Sequence, residues 1–366
     1  MTDIRTISKR PPIELLPCGN KLAAWLRAGS RPDRAGKGIG WAYRWRGHWF
    51  DRNWSLQERL YSPSSQLQPI FVLGLWRSGT TYLHELLTAS VDANSPRTWQ
   101  CFDPSAFRLK AKPLSGRTVQ RPMDAVLVDA LSPQEDEFAL MAAGADSAYR
   151  FFLDPRRWRE LLPALHTEHW AASGLSAAWI RELSTFLGWC VEDPHKPLIV
   201  KSPNHLFRAK ALKAIWPQAK FVWVVRAPEQ VWHSNLRMWK AMAQRYALWF
   251  WQKGDLENFV EACFEAYLDV LVQLRGTNYA PIDSMVCYDE LVRAPESTVT
   301  RIVAELDLLS GFRPDRLSAT AERLQSYDRS GIAPAGFVGR HPLFASISKE
   351  HQSMLDQRNL LIPEYA

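Results

Sequence analysis

The chain has 366 residues, 46% of them hydrophobic and 23% charged, with a formal net charge of +7. That is enough apolar residue for a sizeable core without a disulfide or metal staple, which sets aside the disordered and disulfide-framework classes. The positive balance suits an anionic partner, but the basic residues are scattered and carry no recognition motif, which argues against nucleic acid.

Five cysteines, Cys18, Cys101, Cys190, Cys263 and Cys287, are widely spread with no C-x-x-C pair. They predict neither a disulfide framework nor a zinc site, and a reducing, cytoplasmic compartment. The first 16 residues lack the apolar run of a secretory signal. No apolar stretch approaches the roughly 20 residues of a membrane span.

Residues 1–68 are basic and Trp-rich, with amphipathic helices expected over 21–28 and 43–61; they read as an N-terminal helical extension. Pro69-Ile-Phe-Val-Leu-Gly74 is a short apolar run bounded by Pro and Gly, the pattern of a buried parallel strand. A helix over 80–90 follows, with Leu83, Leu86 and Leu87 at helical spacing. Residues 91–150 read as a less regular insert, with a helix near 135–143 announced by Ser132-Pro133 and acids in its first turn.

Further on, helices are expected over 176–190, 206–216 and 295–309, and strands over 197–201, 220–226 and 284–288. Pro228 suits the start of a helix, and residues 235–280 read as helical and aromatic. Strands alternating with helices predict an α/β fold with a parallel β-sheet flanked by helices, spanning 69–340, and a peripheral C-terminal tail over 341–366. The seventeen tryptophans read as core packing, or else as an aromatic acceptor pocket or a lipid-facing surface.

The first strand runs into Gly74-Leu-Trp-Arg-Ser-Gly79-Thr80-Thr81, the glycine spacing of a P-loop in its proper strand-to-helix context. Glycine lets the backbone curl around an anion, and the helix N-terminus offers free N–H groups and a positive dipole end. The lysine a nucleoside triphosphatase needs is replaced by Thr80, and the loop cation is Arg77. Such a loop suits an anion but is poorly made for ATP with magnesium. Together with its architecture it is P-loop-like rather than a true P-loop.

On these residues the chain resembles the sulfotransferase family that uses 3'-phosphoadenosine-5'-phosphosulfate. The resemblance implies that Arg77, Ser78, Gly79, Thr80 and Thr81 bind the 5'-phosphosulfate. The segment Arg226-Ala-Pro228-Glu-Gln-Val231-Trp-His-Ser234 is similar to the family's 3'-phosphate element, so Arg226 and Ser234 are implied there. Ala227 stands where the family usually has an acid or Asn. The resemblance runs over about 69–310 and includes Lys201-Ser-Pro203-Asn-His205 and Tyr288-Asp-Glu-Leu. Arg329-Ser-Gly331 and Gly336 are only faintly similar to its C-terminal basic loop.

Sulfuryl transfer needs charge stabilisation at the leaving phosphate and a base at the acceptor. Arg77 supplies one cation. Lys201 is implied as a second, since matching family members place a catalytic lysine at that strand end; a plain surface lysine is the alternative. Thr98-Trp99-Gln100 lacks the glutamate that some members carry about 20 residues after the loop. The candidate bases are then Glu135, Asp136 and Glu137, with His205 and His84; Glu135 or Asp136 is favoured and His205 is next. The acids also fit a helix's first turn as plain dipole partners.

No metal is implied. The insert 91–150 and the stretch from Trp239 to Trp251 are expected to build the acceptor side, 235–280 included. Their composition favours a small-molecule or lipid acceptor with an apolar or aromatic part, and is compatible with contact at a membrane surface. The rival readings are a P-loop small-molecule kinase and a non-catalytic nucleotide-binding module.

Overall fold

The computed structural model describes residues 19–28, 39–114, 116, 118–124, 126–171, 175–274, 282–325 and 342–361. Cys18, Arg329-Ser-Gly331 and Gly336 lie outside the described residues.

Two helices, α1 (Asn20–Ala28) and α2 (Ile39–Leu60), precede the first strand, β1 (Pro69–Leu73), and helix α3 (Thr80–Ser90) follows it. The insert then holds α4 (Thr98–Phe102), a two-stranded hairpin of β2 (Val119–Gln120) and β3 (Leu127–Val128), and α5 (Glu137–Ala143). Short 3₁₀ segments lead to α6 (Thr167–Ala171) and α7 (Leu175–Cys190). The alternation resumes with β4 (Leu198–Lys201), α8 (Ala209–Ile215), β5 (Lys220–Val225), α9 (Pro228–Tyr246), α10 (Lys253–Leu274) and β6 (Ser284–Cys287). The chain closes with α11 (Tyr288–Arg293), α12 (Pro295–Glu305), α13 (Pro314–Gln325) and α14 (Pro342–Leu361).

Strands β4-β1-β5-β6, in that order, form one parallel sheet, which is the fold class expected. Their Val- and Ile-rich runs are buried on both faces, as parallel strands under helices must be. Side chains alternate between two cores. Ile70, Val72, Val222 and Val224 pack with the Leu83, Leu86 and Leu87 stripe of α3 and with Ile302 of α12. Phe71, Leu73, Phe221 and Trp223 face the larger core on the other side. A slip of one residue would exchange the two sets, so the paired burial holds the register, for instance Phe71 opposite Phe221. Each such side chain contributes about 1.5–3 kcal/mol by leaving water.

The chain leaves β1, returns on one side as β4, then crosses to β5 on the other side. That reversal opens a crevice at the carboxyl end of β1, where open α/β sheets hold ligands. Gly74, Lys201 and Arg226 all lie at that edge, within or just beyond their strands.

Two segments add to the core. The closing residues, read as a peripheral tail, carry α14, which docks on α10 and α9 with Ile347 fully buried and Phe344 and Met354 nearly so. Its apolar residues recur at helical spacing among many polar ones, so composition alone hid the stripe. The tryptophans of the 239–251 stretch are core: Trp239 and Trp249 are fully buried, and Trp239 packs edge-on against Trp76 with centroids 5.2 Å apart. Trp45 and Trp49 on α2 are exposed.

Candidate functional site

The loop after β1 is shaped by close approach. A Cβ at Gly74 would meet Val224 O at 2.7 Å and Ser78 Oγ at 2.6 Å, so only glycine lets the strand end curl back. Gly79 has φ 108° and lies against the Tyr288 ring, where any side chain would collide. Asn235 of α9 pins the loop by donating from Nδ2 to Trp76 O at 2.7 Å. Helix α3 starts after Gly79 with no side-chain cap and no acid in its first turn, so no capping side chain competes with an anion at the helix start. Ser78 Oγ is buried without a hydrogen-bond partner, a second polar group suited to an anionic ligand.

Arg77 is the junction of the motifs. Its φ of 71° turns the side chain toward α9 and the hairpin. Its Nε donates to Ser234 Oγ at 3.0 Å and its Nη1 to Asp124 Oδ2 at 2.8 Å. Arg226 Nη1 donates to Arg77 O at 3.2 Å, and its guanidinium stacks 4.1 Å from the Tyr288 ring centroid. Arg77, Arg226 and Ser234, drawn from two separated motifs, therefore meet around one loop. Burial lowers the pKa of both arginines, though each stays charged at any ordinary pH.

Lys201, at the end of β4, is not a surface lysine: it is 1% exposed. Its Nζ donates to Glu135 Oε1 at 2.5 Å and to Thr81 Oγ1 at 3.1 Å. Tyr149 donates its hydroxyl to the other oxygen, Glu135 Oε2, and Trp76 Nε1 donates to Tyr149 Oη at 3.3 Å. A chain of contacts thus links the loop after β1, the lysine and a carboxylate. Burial lowers the pKa of Lys201, opposed by Glu135, and burial with the Glu135 charge raises that of Tyr149 well above the usual phenol value.

The other candidate bases stand elsewhere. Asp136 and His205 are fully buried and pair with each other at 2.8 Å, away from the cavity. Glu137 is fully buried in a bidentate pair with Arg208. His84 bonds Ser95 Oγ at 2.9 Å inside the core. Successive residues of one helix start point in different directions, so of the run Glu135-Asp136-Glu137 one carboxylate reaches the cavity. Gln100 is also buried, its Oε1 accepting from Arg97 N at 2.8 Å as part of a helix cap.

One cavity of about 350 Å³ joins these groups. Arg77, Gly79, Thr80, Thr81, Arg226 and Tyr288 line one end, and Glu135 lies in its wall. Phe102, Met123, Phe138, Phe152, Met238 and Met242 give the lining an apolar part. Helix α9 does reach the cavity, but through Met238, Met242 and Tyr246 rather than its tryptophans Trp232 and Trp239. Tyr149, Arg121 and Asp124 escaped the sequence reading. Arg121-Pro-Met-Asp124 between Val119-Gln120 and the apolar Leu127-Val128 was the available signal for a hairpin.

Among the described residues no group of His, Cys, Asp or Glu is placed to hold a metal ion, and no helix is long and apolar enough to cross a membrane. Residues 69–309 match the family model described as the sulfotransferase family. Two curated relatives, the omega-hydroxy-beta-dihydromenaquinone-9 sulfotransferases Stf3 of Mycobacterium bovis and Mycobacterium tuberculosis, are each 31% identical over 247 residues, covering 66% of this chain and 63% of theirs. The chain thus spans less than two thirds of the length of those relatives. Among solved structures, sulfotransferase STF1 of Mycobacterium tuberculosis H37Rv shares the fold with a TM-score of 0.50 at 20% identity, over 76% of each chain.

Proposed function

Since the chain belongs to the sulfotransferase family, we propose that it moves a sulfuryl group from 3'-phosphoadenosine-5'-phosphosulfate to a hydroxyl or amine of an acceptor with an apolar, lipid-like or aromatic body. The observation that carries this reading is the Lys201–Glu135 pair, held against Thr81 of the anion loop in the wall of a cavity that turns apolar beyond it. The unpartnered Ser78 Oγ and the cradle that a Cβ at Gly79 would fill both suit the donor's phosphosulfate. When bound, that donor supplies a sulfuryl group activated by its anhydride to phosphate.

The protein's part is positioning and charge. Arg77, Ser78 and the α3 N-terminus hold the phosphosulfate end, and Arg226 with Ser234 holds the 3'-phosphate. Glu135 is the base for the acceptor proton, since of the candidate acids it is the one that lines the cavity. Lys201 pairs with that carboxylate and brings a positive charge to where the leaving oxygen becomes anionic. Tyr149 fixes the second carboxylate oxygen.

The Met- and Phe-lined end fits a flexible apolar acceptor, because thioether side chains adapt to irregular shapes. The relative whose name specifies an omega-hydroxylated menaquinone has an acceptor of that chemical type, which supports the same class here. The catalytic compartment would be the cytoplasm.

The test is binding of adenosine 3',5'-bisphosphate beside ATP with magnesium, on wild type and Arg226→Ala. The bisphosphate should bind more tightly, and the variant should lose about tenfold or more of that preference. Equal or tighter ATP binding, indifferent to Arg226, would replace this reading with that of a kinase.

A further inference from the structure

The hairpin β2–β3 brings to the anion loop two residues that belong to none of the motifs above. Arg121 donates to one carboxylate through two N–H groups: Nε to Asp124 Oδ1 at 3.0 Å and Nη2 to Asp124 Oδ2 at 2.5 Å. The same Oδ2 accepts from Arg77 Nη1 at 2.8 Å, and Oδ1 also accepts from Val126 N at 3.2 Å. One carboxylate therefore bridges two guanidinium groups. The side chains of Arg121 and Asp124 are each 12% exposed and that of Arg77 is 24% exposed.

A simple surface ion pair needs one cation and one anion. Here two cations share a single carboxylate in a largely buried wall, so the pair keeps an excess positive charge. Burial lowers the pKa of Arg77 and the neighbouring Arg121 charge adds to this, whereas for Arg121 burial is outweighed by Asp124, which raises its pKa. Each guanidinium carries five N–H donors in a fixed plane, more than Asp124 can occupy. Arg121, Arg77, Thr81 and Glu135 line the same cavity. The excess charge therefore faces the space between loop and base.

We infer that Arg121 is a further donor-binding residue, directed at the transferring sulfuryl end, and that Asp124 is a positioning residue that aligns the Arg77 and Arg121 guanidinium groups toward it. The inference rests on the donor reading above and adds a direction to it. Arg121 shares Asp124 with Arg77 and lines the cavity beside Thr81 and Glu135, whereas Arg226 stacks on Tyr288 and donates to Arg77 O from the other motif. The two cations therefore meet different parts of one ligand.

The experiment compares equilibrium binding of 3'-phosphoadenosine-5'-phosphosulfate and adenosine 3',5'-bisphosphate to the full chain as wild type, Arg121→Ala and Asp124→Asn. The second nucleotide lacks the sulfuryl group. Arg121→Ala should weaken the phosphosulfate about tenfold or more while the bisphosphate changes by less than about threefold. Asp124→Asn should shift the same ratio in the same direction by a smaller factor, which general loosening of the hairpin would not do, since it would weaken both nucleotides alike. Equal weakening of both nucleotides in both variants overturns the inference, and so does no change in either. Wild type that binds neither nucleotide overturns the donor reading itself, and the inference with it.

Discussion

The two ends of the cavity are built in opposite ways. The proposed donor side draws on short, contiguous segments at strand ends, 74–81 and 226–234, joined by Arg121 of the hairpin, and its groups are backbone N–H, glycine and cations. The acceptor end is assembled from side chains of α4, the hairpin, α5, the 3₁₀ turn Ala148–Phe152 and α9. An anion is recognised by the direction of donors and by charge, which a few adjacent residues at a helix start can supply. An apolar body is recognised by shape, which many distant side chains must enclose together. The difference teaches that variants at the donor end should act steeply and on any acceptor, and those at the acceptor end mildly and selectively.

Glu135 stands where the two ends meet and should give the largest effect. Glu135→Gln keeps the shape but removes the base, so turnover should fall by about 10²- to 10⁴-fold while bisphosphate affinity stays near wild type. Single-turnover kinetics beside a binding titration separates the two, and an unchanged turnover would move the base elsewhere.

Next is Gly79→Ala, which forces a Cβ into Tyr288 at a φ of 108°. The strain is about 1–3 kcal/mol, and both nucleotide affinity and thermal midpoint should drop. If acceptor preference changed and donor affinity did not, the division between the ends would fail.

A third prediction concerns pH. Burial raises the pKa of Asp124, but the hydrogen bonds and charges of Arg121 and Arg77 outweigh it and hold the carboxyl at about 2, below its ordinary 3.8. The folded-state value is depressed, so the stabilisation is complete above about pH 4 and is lost as pH falls toward 2. It is on the order of 2 kcal/mol, and Asp124→Asn should flatten that limb of a stability–pH curve measured by denaturant unfolding.

The smallest effect should come from Met242→Leu in the acceptor wall. The volume is nearly conserved, so stability should change by less than about 1.5 kcal/mol. The KM for an apolar acceptor should shift severalfold, about 1 kcal/mol, with donor affinity untouched. Competition between two acceptors of different chain length would read it.

Local chemistry made the donor end legible. The apolar runs at β1, β4, β5 and β6 foretold a parallel sheet because strands buried on both faces leave no room for alternation. The glycine spacing of 74–79 foretold a tight strand-to-helix loop because backbone curvature is a property of adjacent residues. In the run Glu135-Asp136-Glu137 the composition was plain but the direction was not. Which carboxylate faces the cavity depends on the helix's rotation against Lys201, His205 and Arg208, residues more than 60 positions away.

The same holds for Tyr149, Arg121 and Asp124, whose partners come from other elements, and for Trp239, whose neighbours in sequence line the cavity while it fills the core. The apolar stripe of α14 likewise acquires meaning only against α10. By itself the sequence determined the fold class, the tight loop after β1 and the places of the two arginine motifs at strand ends, because backbone geometry and strand burial are set by neighbours along the chain. The choice among the acids, the shape of the acceptor end and the pairing of Arg77 with Arg121 were decided by tertiary structure, because they depend on which distant side chains packing brings within a few ångströms of one another.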